Sequence, residues 1–445
     1  MKKIILLILL LGVGKIDAQY FSMNGDKSFI GGAAGMTWID GNPNYSLRFF
    51  PEFQFANFGF GLDLNLDWNS DGNIRTENFN EASDYISIIR FIRYGHKGDE
   101  IYARIGALDY ATIGHGTIVG LYNNNTSFDA KKIGFEFDMD FNSFGFETIY
   151  GNFARAGLFA ARGYTRPLQF TDLKETPILG MLEAGISIAT DMNENAGILE
   201  ATYYPDIDIL KPTNDKGSLT FIGFDIGLPL LNNDIIDLDL YTDFNKIINF
   251  GSGLAIGLIA DFNGLGIFDL KAKIERQFNG DNYIPSYFNA LYEVERFNLN
   301  KNTGAIKSKV QQLEFANGQS NGYYGELYGS ALGLFKILGS FQKLDQISNS
   351  GILHLRGQLA PESMQFLFNV GYDKINIGNF DDLFTTDEHS YLFAELGYKI
   401  NPFLLASIVY HWNFTPIRND LGNIIGYKPQ KRIEPRISLI YPISF

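Results

Sequence analysis

Apolar and polar positions alternate along most of the chain. In residues 58–69, FGFGLDLNLDWN, Phe58, Phe60, Leu62, Leu64, Leu66 and Trp68 fall on one face; Gly59, Gly61, Asp63, Asn65, Asp67 and Asn69 fall on the other. The pattern recurs. Ile133, Phe135, Phe137, Met139 and Phe141 oppose Gly134, Glu136, Asp138 and Asp140. Ile236, Leu238 and Leu240 oppose Asp237, Asp239 and Tyr241. Phe268, Leu270, Ala272 and Ile274 oppose Asp269, Lys271, Lys273 and Glu275. A period of two held over about nine to twelve residues predicts strands, and of the length a tilted membrane crossing needs rather than the roughly five or six usual in soluble sheets.

Such a sheet must cover its apolar face with something. Stretches with helical spacing are scarce, no Pro/Gly/Ser-rich linker divides the chain, and no composition shift marks a second domain. The pattern predicts an all-β chain, one antiparallel up-and-down meander with strands at roughly 28–39, 45–56, 58–69, 83–95, 100–112, 130–141, 143–154 and 181–192. Short turns at Asn57, His96–Asp99 and Asn142 alternate with longer links at 70–82, 113–129 and 155–180. Further on, tight turns at Asn193–Ala196, Leu231–Asp234, Asn263–Gly264, Pro361–Ser363 and Pro402 alternate with loops at 205–217, 378–389 and 416–431. The count is about 20–22 strands within a range of roughly 16–22, depending on whether the charged pair 287–299 and 305–316 crosses as well. With the sheet closed on itself, lipid is the missing layer: every backbone group is paired, the Leu/Phe side meets acyl chains, and the Gly/Asp/Asn side faces water. Trp68 and Tyr441 are expected near the interfaces.

Composition sharpens this picture. The chain has 39 Phe, 24 Tyr and 47 Gly but only 14 Pro, the aromatic and glycine richness of barrels. It opens MKKIILLILLLGVGKIDA: two lysines, an apolar run too short to span a bilayer as a helix, and a small residue at Ala18. Residues 1–18 are expected to be a secretory signal peptide and 19–445 the barrel. The opening segment carries Lys2, Lys3, Lys15 and Asp17, a net +2, so the remainder stands at −16 against −14 for the whole chain. That acidity argues against a nucleic-acid partner. The absence of cysteine excludes disulfides and lipid attachment through a thiol.

The chain ends RIEPRISLIYPISF, with Ile433, Pro435, Ile437, Leu439, Tyr441, Ile443 and Phe445 on one face. This closely resembles the closing strand of Gram-negative outer-membrane β-barrel proteins, which ends in an aromatic residue preceded by alternate apolar positions. The resemblance implies an outer-membrane location, a porin-like barrel, and recognition of Tyr441, Ile443 and Phe445 by the barrel-assembly machinery. Pro435 and Pro442 depart from the pattern and predict local bulges, because proline cannot donate to the ladder.

Candidate chemistry lies first on the inward face. Asp63, Asp67, Glu136, Asp138, Asp140, Asp237, Asp239, Asp269 and Glu275 are expected inside with Lys271, Lys273, Lys399 and Arg436, where they set ion selectivity or simply solvate a wet interior. Residues 155–180 are read as a long outer loop whose Arg155, Arg162 and Arg166 could fold in against those acids and constrict the lumen. Asp67, Asn69, Asp71 and Gly72 match half of a calcium loop, but Asn78 stands where its closing Glu belongs and Glu77 is one residue early; a hairpin tip explains the same letters. Gly114, His115 and Gly116 lack the spacing of a dinucleotide fingerprint and read as a glycine-rich turn. Of the five histidines, His96 is placed in a short turn, His411 in the lumen, and His115 and His389 near outer loops, without a nucleophile motif. No cofactor or metal is implied, and no enzyme is expected.

The reading is an outer-membrane channel for passive diffusion of small polar solutes or ions. One alternative is a transporter of hydrophobic compounds similar to the long-chain fatty-acid transporter family, which requires residues 28–44 to join 19–27 in an N-terminal hatch. Another is a non-transporting surface or secretion-accessory barrel whose lumen its own side chains fill. A TonB-dependent receptor would need a plug domain with far more chain.

Overall fold

In a computed structural model of the chain, residues 28–80, 82–262, 266–316, 320–332, 334–359 and 364–443 are described. Expectations for residues 1–18, Asn263–Gly264, Pro361–Ser363 and Phe445 lie outside them. The remainder is one closed antiparallel barrel. Its sheet contains 22 paired segments, but two staves are each interrupted once, at Phe50–Pro51 and at Asp63, giving 20 strands. Pro51 has no N–H to give, and the Asp63 N–H leaves the ladder for the Ile88 carbonyl at 2.8 Å.

In chain order the strands are β1 (Ser28–Ile39), β2 (Asn42–Phe49 and Glu52–Phe55), β3 (Phe58–Leu62 and Leu64–Trp68), β4 (Ile89–Tyr94), β5 (Ile101–Gly106), β6 (Gly134–Asp140), β7 (Phe144–Tyr150), β8 (Leu158–Thr165), β9 (Glu183–Asp191) and β10 (Leu219–Asn232). There follow β11 (Ile236–Ile247), β12 (Ser252–Phe262), β13 (Phe268–Asn279), β14 (Gly322–Ala331), β15 (Phe335–Leu344), β16 (Gly351–Leu359), β17 (Phe366–Ile377), β18 (Ser390–Asn401), β19 (Leu404–Arg418) and β20 (Ile424–Ile443). Each pairs with its neighbours in sequence, and β20 closes on β1 from Ser28↔Ile443 to Ile39↔Arg432. Closure leaves no edge to satisfy. The first hairpin turns on Asp40 and Gly41, both at positive φ (48° and 87°), the two-residue geometry that an Asp-Gly pair favours.

The outward face is apolar. Ile186, Phe224, Phe244, Leu254 and Phe278 stand in register across five neighbouring strands, all exposed. At the short-turn end, exposed aromatic pairs encircle the rim: Phe58–Tyr94, Phe141–Phe144, Phe366–Tyr398 and Phe403–Tyr441, with ring centroids 5.1–5.5 Å apart. Trp68 meets Tyr45 at the opposite end, 6.4 Å between centroids. An apolar band with aromatic borders is the surface a barrel presents to lipid.

The strand map corrects several expectations. Residues 158–165 are strand β8, so 155–180 is not a long outer loop; residues 166–182 connect at the short-turn end. Residues 198–204 and 209–215 form a separate hairpin at the long-loop end, and Asn193–Ala196 is part of that excursion rather than a tight turn of the barrel. Residues 287–299 and 305–316 do not cross; they carry two short helices and a three-residue hairpin. Strands β19 and β20 run out to a tight turn, 419–423, in place of the long loop 416–431. Residues 28–39 are a barrel stave and not part of a hatch; residues 19–27 lie outside the described ones. At Pro435 and Pro442 no bulge forms: register to β1 is constant on both sides, and the ladder merely lapses opposite Pro435.

Candidate functional site: a plugged lumen

Two segments fold back into the barrel at its long-loop half, 107–133 and 280–316. They meet as a short parallel ribbon. Val119 bridges Phe288, the Phe288 N–H donates to the Ile118 carbonyl at 3.1 Å, and the Ser286 N–H donates to the Thr117 carbonyl at 2.8 Å. Leu108, Ile113, Tyr122, Tyr283, Phe288 and Leu313 pack against inward residues of β7 to β11, including Ile149, Leu158, Phe221 and Ile247, all essentially buried. On the far side Leu291 and Val294 pack on Ile375, Phe414 and Tyr427 of β17, β19 and β20. The glycines of the inner wall make room for this plug: a Cβ on Gly253 would sit 2.3 Å from the Tyr283 ring.

An ion network locks the plug to the wall. Arg296 places Nε 2.5 Å from Asp191 Oδ2 and both terminal nitrogens 2.7–2.8 Å from the Glu293 carboxylate. Lys132 pairs with Glu293, the Tyr122 hydroxyl donates to Glu293 at 2.5 Å, and the Tyr292 hydroxyl donates to Asp191 at 2.6 Å. Burial favours a neutral Glu293, but the charges of Arg296 and Lys132 prevail and hold it down to about 2. Asp129 is held the same way: burial raises it, while Arg75 at 2.5 Å, with smaller contributions from Arg432 and Gln430, lowers it below the usual carboxylate range.

Below the plug lies a cavity of about 960 Å³ that reaches the short-turn rim at Asn232 and Asn233. Asp237, Asp239, Lys271, Lys273 and Glu275 line it as expected. Tyr241 donates to Glu275 at 2.7 Å, and Lys273 donates to the His115 carbonyl. Asp269 faces in and accepts from Ser330 at 2.6 Å. Above the plug, a vestibule of about 540 Å³ opens among Arg155, Asn193, Lys132, Glu293 and Arg296.

The other acids are inward but committed to partners. Asp63 binds Arg48 at 2.6 Å and Lys131 at 3.2 Å; Asp67 binds Arg432 at 2.9 Å. Glu136 and Asp138 share Lys97, and Asp140 holds Arg166 at 2.8 Å. Arg436 pairs with Glu395 at 2.8 Å. Arg162 and Arg166 do oppose acids, but from strand β8 and its end rather than from an infolded loop: Arg162 reaches Asp225 at 2.5 Å, Glu183 at 2.7 Å and Glu147 at 3.3 Å. Arg155 sits at the opposite end, in the 151–157 turn. The loops that do narrow the lumen are 107–133 and 280–316.

Asp67 points to Arg432, while the Asn69 side chain accepts from the Asp71 and Asn73 N–H groups at 3.0 Å; this is a hairpin tip, not a gathered calcium loop. His411 is buried in the lumen against Phe128 and Phe393. His115 lies inside the barrel, stacked on Tyr241 at 4.0 Å, rather than near an outer loop. His354, to which the sequence assigned no role, faces the cavity 2.6 Å from Asp373, a pairing set by strand register and invisible in sequence order. Ser340 is in register on the next strand, but His354 Nε2 has no hydrogen-bond partner, so no Ser–His–Asp relay is assembled.

Fold and lumen together define a transmembrane β-barrel plugged by its own loops. No family model and no curated protein matches the chain. Among solved structures it is similar to the ferric enterobactin receptor PfeA (TM-score 0.35, 9% identity, 94% of this chain and 82% of that one). It is also similar to OccK11 (OpdR) of Pseudomonas aeruginosa (0.31, 7%, 94% and 97%). A third is Wzi of Escherichia coli, an outer-membrane carbohydrate-binding β-barrel involved in group 1 capsule assembly (0.35, 8%, 94% and 85%). Likeness at this level assigns no activity.

Proposed function

We propose that this chain is a bacterial outer-membrane channel for small polar solutes or ions in which the infolded segments 107–133 and 280–316 set the resting permeability. The observation that carries the reading is the juxtaposition of a charged cavity open toward the short-turn end with a plug held by a buried ion network. The cavity's carboxylates outnumber its Lys and Arg by eight to five, which favours cations. Tyr441 and Ile443 lie on the closing strand, available as part of an assembly signal before the barrel shuts.

Planar-bilayer recording tests this. The expected wild-type trace is a small conductance with a reversal potential favouring cations in a salt gradient. A trace silent at all voltages, in the wild type and in variants with a loosened plug, would contradict the channel reading. It would support the non-transporting barrel instead, a reading favoured by the packing of the plug on both sides of the lumen.

A further inference from the structure

Two connections at the long-loop end, 107–133 and 280–316, turn into the barrel. A third, 378–389 between β17 and β18, turns the other way and lies on the outer wall. Asp373 lines the lumen, so Phe366, Phe368, Val370 and Tyr372 share the outward face of β17. Phe366 and Phe368 are 61% and 41% exposed, whereas Tyr372 is only 5% exposed because the loop covers it. Leu383 packs on the cluster of Leu353, Tyr372 and Ile377. The Phe384 ring lies 6.1 Å from the Tyr372 ring, and the Tyr372 hydroxyl donates to the Thr385 carbonyl at 2.9 Å. From the outward face of β19 the Trp412 indole N–H donates to the Asp387 carbonyl at 2.8 Å.

The loop spends its polar groups on itself and on the wall. Asp382 accepts from the Gly378 and Asn379 N–H groups at 3.1 Å. Asp387 accepts from the His389 N–H at 2.8 Å and pairs with Lys374. The Leu383 and Ser390 N–H groups donate to the Phe380 and Asp387 carbonyls, both at 3.3 Å. Irregular backbone tolerates an apolar medium only where its donors and acceptors are satisfied within the protein. Phe380 and Phe384 are turned out, 82% and 70% exposed, with Asp381 and Glu388 also exposed.

The loop also reaches down to the level of the apolar band. Phe366 pairs with Tyr398 in the aromatic border at the short-turn end. Tyr372 lies six residues further along the same strand. At about 3.4 Å per residue and a tilt of about 40°, that is about 15 Å above the border, within a band about 25 Å tall. Phe384, against Tyr372, therefore continues the lipid-facing surface instead of standing clear of it.

We propose that 378–389 is an interfacial strap that sets Phe380 and Phe384 into the outer leaflet of the bilayer, at the boundary between acyl chains and headgroups. Asp381 and Glu388 then reach the water of the headgroup layer. The occupant of this surface is lipid, because the strap is continuous with the apolar wall beneath it. The proposal rests on the membrane half of the reading above, a barrel spanning a bilayer, and not on conduction.

The chain has no cysteine, so Phe380→Cys and Phe384→Cys can each carry a single bimane fluorophore. Phe224→Cys on the outward wall and Leu421→Cys in the 419–423 turn serve as references. The full chain is placed in phosphatidylcholine vesicles, and quenching by lipid with a nitroxide on its acyl chain is compared with quenching by iodide present on both sides. Both strap labels, like the one at position 224, should lose most of their emission to the lipid nitroxide and little to iodide. The label at 421 should do the reverse. Strap labels that follow the 421 reference would overturn the proposal. So would strap labels quenched by neither reagent, the result expected if a second copy or another protein covers the strap. A label at 224 open to iodide would overturn the membrane-spanning barrel and the strap with it. Lipid-quenched strap labels beside silent bilayers would sink the channel reading and leave the strap standing.

Discussion

Replacing Arg296 with Met should open the lumen. The guanidinium is the link between Asp191 on the barrel wall and Glu293 on the plug, and the residue is 8% exposed. Its removal strips Asp191 of its only cation partner among the described residues and leaves Glu293 with Lys132 and Tyr122. Breaking a buried ion pair from one side costs about 3–5 kcal/mol because a charge is left stranded. A shift of that size moves the ratio of displaced to seated plug by about a hundredfold or more. Bilayer conductance should rise accordingly, with Arg296→Lys intermediate, while the strand content read by circular dichroism should stay unchanged. Acid should act on the same lock. Glu293 is held at about 2 against an ordinary 4.5, so its contribution is complete above pH 4.5 and is lost as pH falls from there toward 2. Wild-type conductance should climb within that window, and Arg296→Met should shift its onset upward. An unchanged, silent Arg296→Met at every pH would show that the plug is not held as described.

Phe224→Arg should cripple the barrel in a bilayer. Phe224 lies on the outward face of β10, 52% exposed in the protein alone, between Ile186 and Phe244 in the same row. If that row touches acyl chains, an arginine there costs about 2–4 kcal/mol near the midplane, less toward the interfaces. Phe224→Leu should be nearly neutral. Unfolding by urea from lipid vesicles reads the difference. Equal stabilities for the Arg and Leu variants would place Phe224 against water.

The sequence makes the barrel legible wherever the interior is wet. Along 58–69, 236–245 and 268–279 inward positions are polar or glycine, so period two stands out, and the expected strand 28–39 coincides with β1. The signal fails where the plug packs. There the inward face turns apolar or small, as at Ile149, Leu158, Ala160, Phe221 and Ile247, and the contrast between faces disappears. The pattern of strand β8, LFAARGYT, is masked for this reason, which makes its Arg162 look like a loop residue in sequence. The plug itself is built from short glycine-rich or charged pieces, which resemble turns and edge strands until a surrounding wall gives them partners. The His354–Asp373 pair needs the register of two strands, which no local pattern encodes.

The two faces of one strand should meet different media, lipid outside and a plugged, hydrated lumen inside. The chain has no cysteine, so single cysteines placed in turn from Phe221 to Gly227 report each position without background. Spin labels attached to them in lipid vesicles should alternate. Ile222, Phe224 and Ile226 should be open to oxygen dissolved in the bilayer and closed to a water-soluble nickel chelate, while Phe221, Gly223, Asp225 and Gly227 should be closed to oxygen. Labels at Phe224 and Ile226 that collide freely with the nickel chelate, or with neither reagent, would contradict a lipid-facing wall around a plugged, hydrated interior.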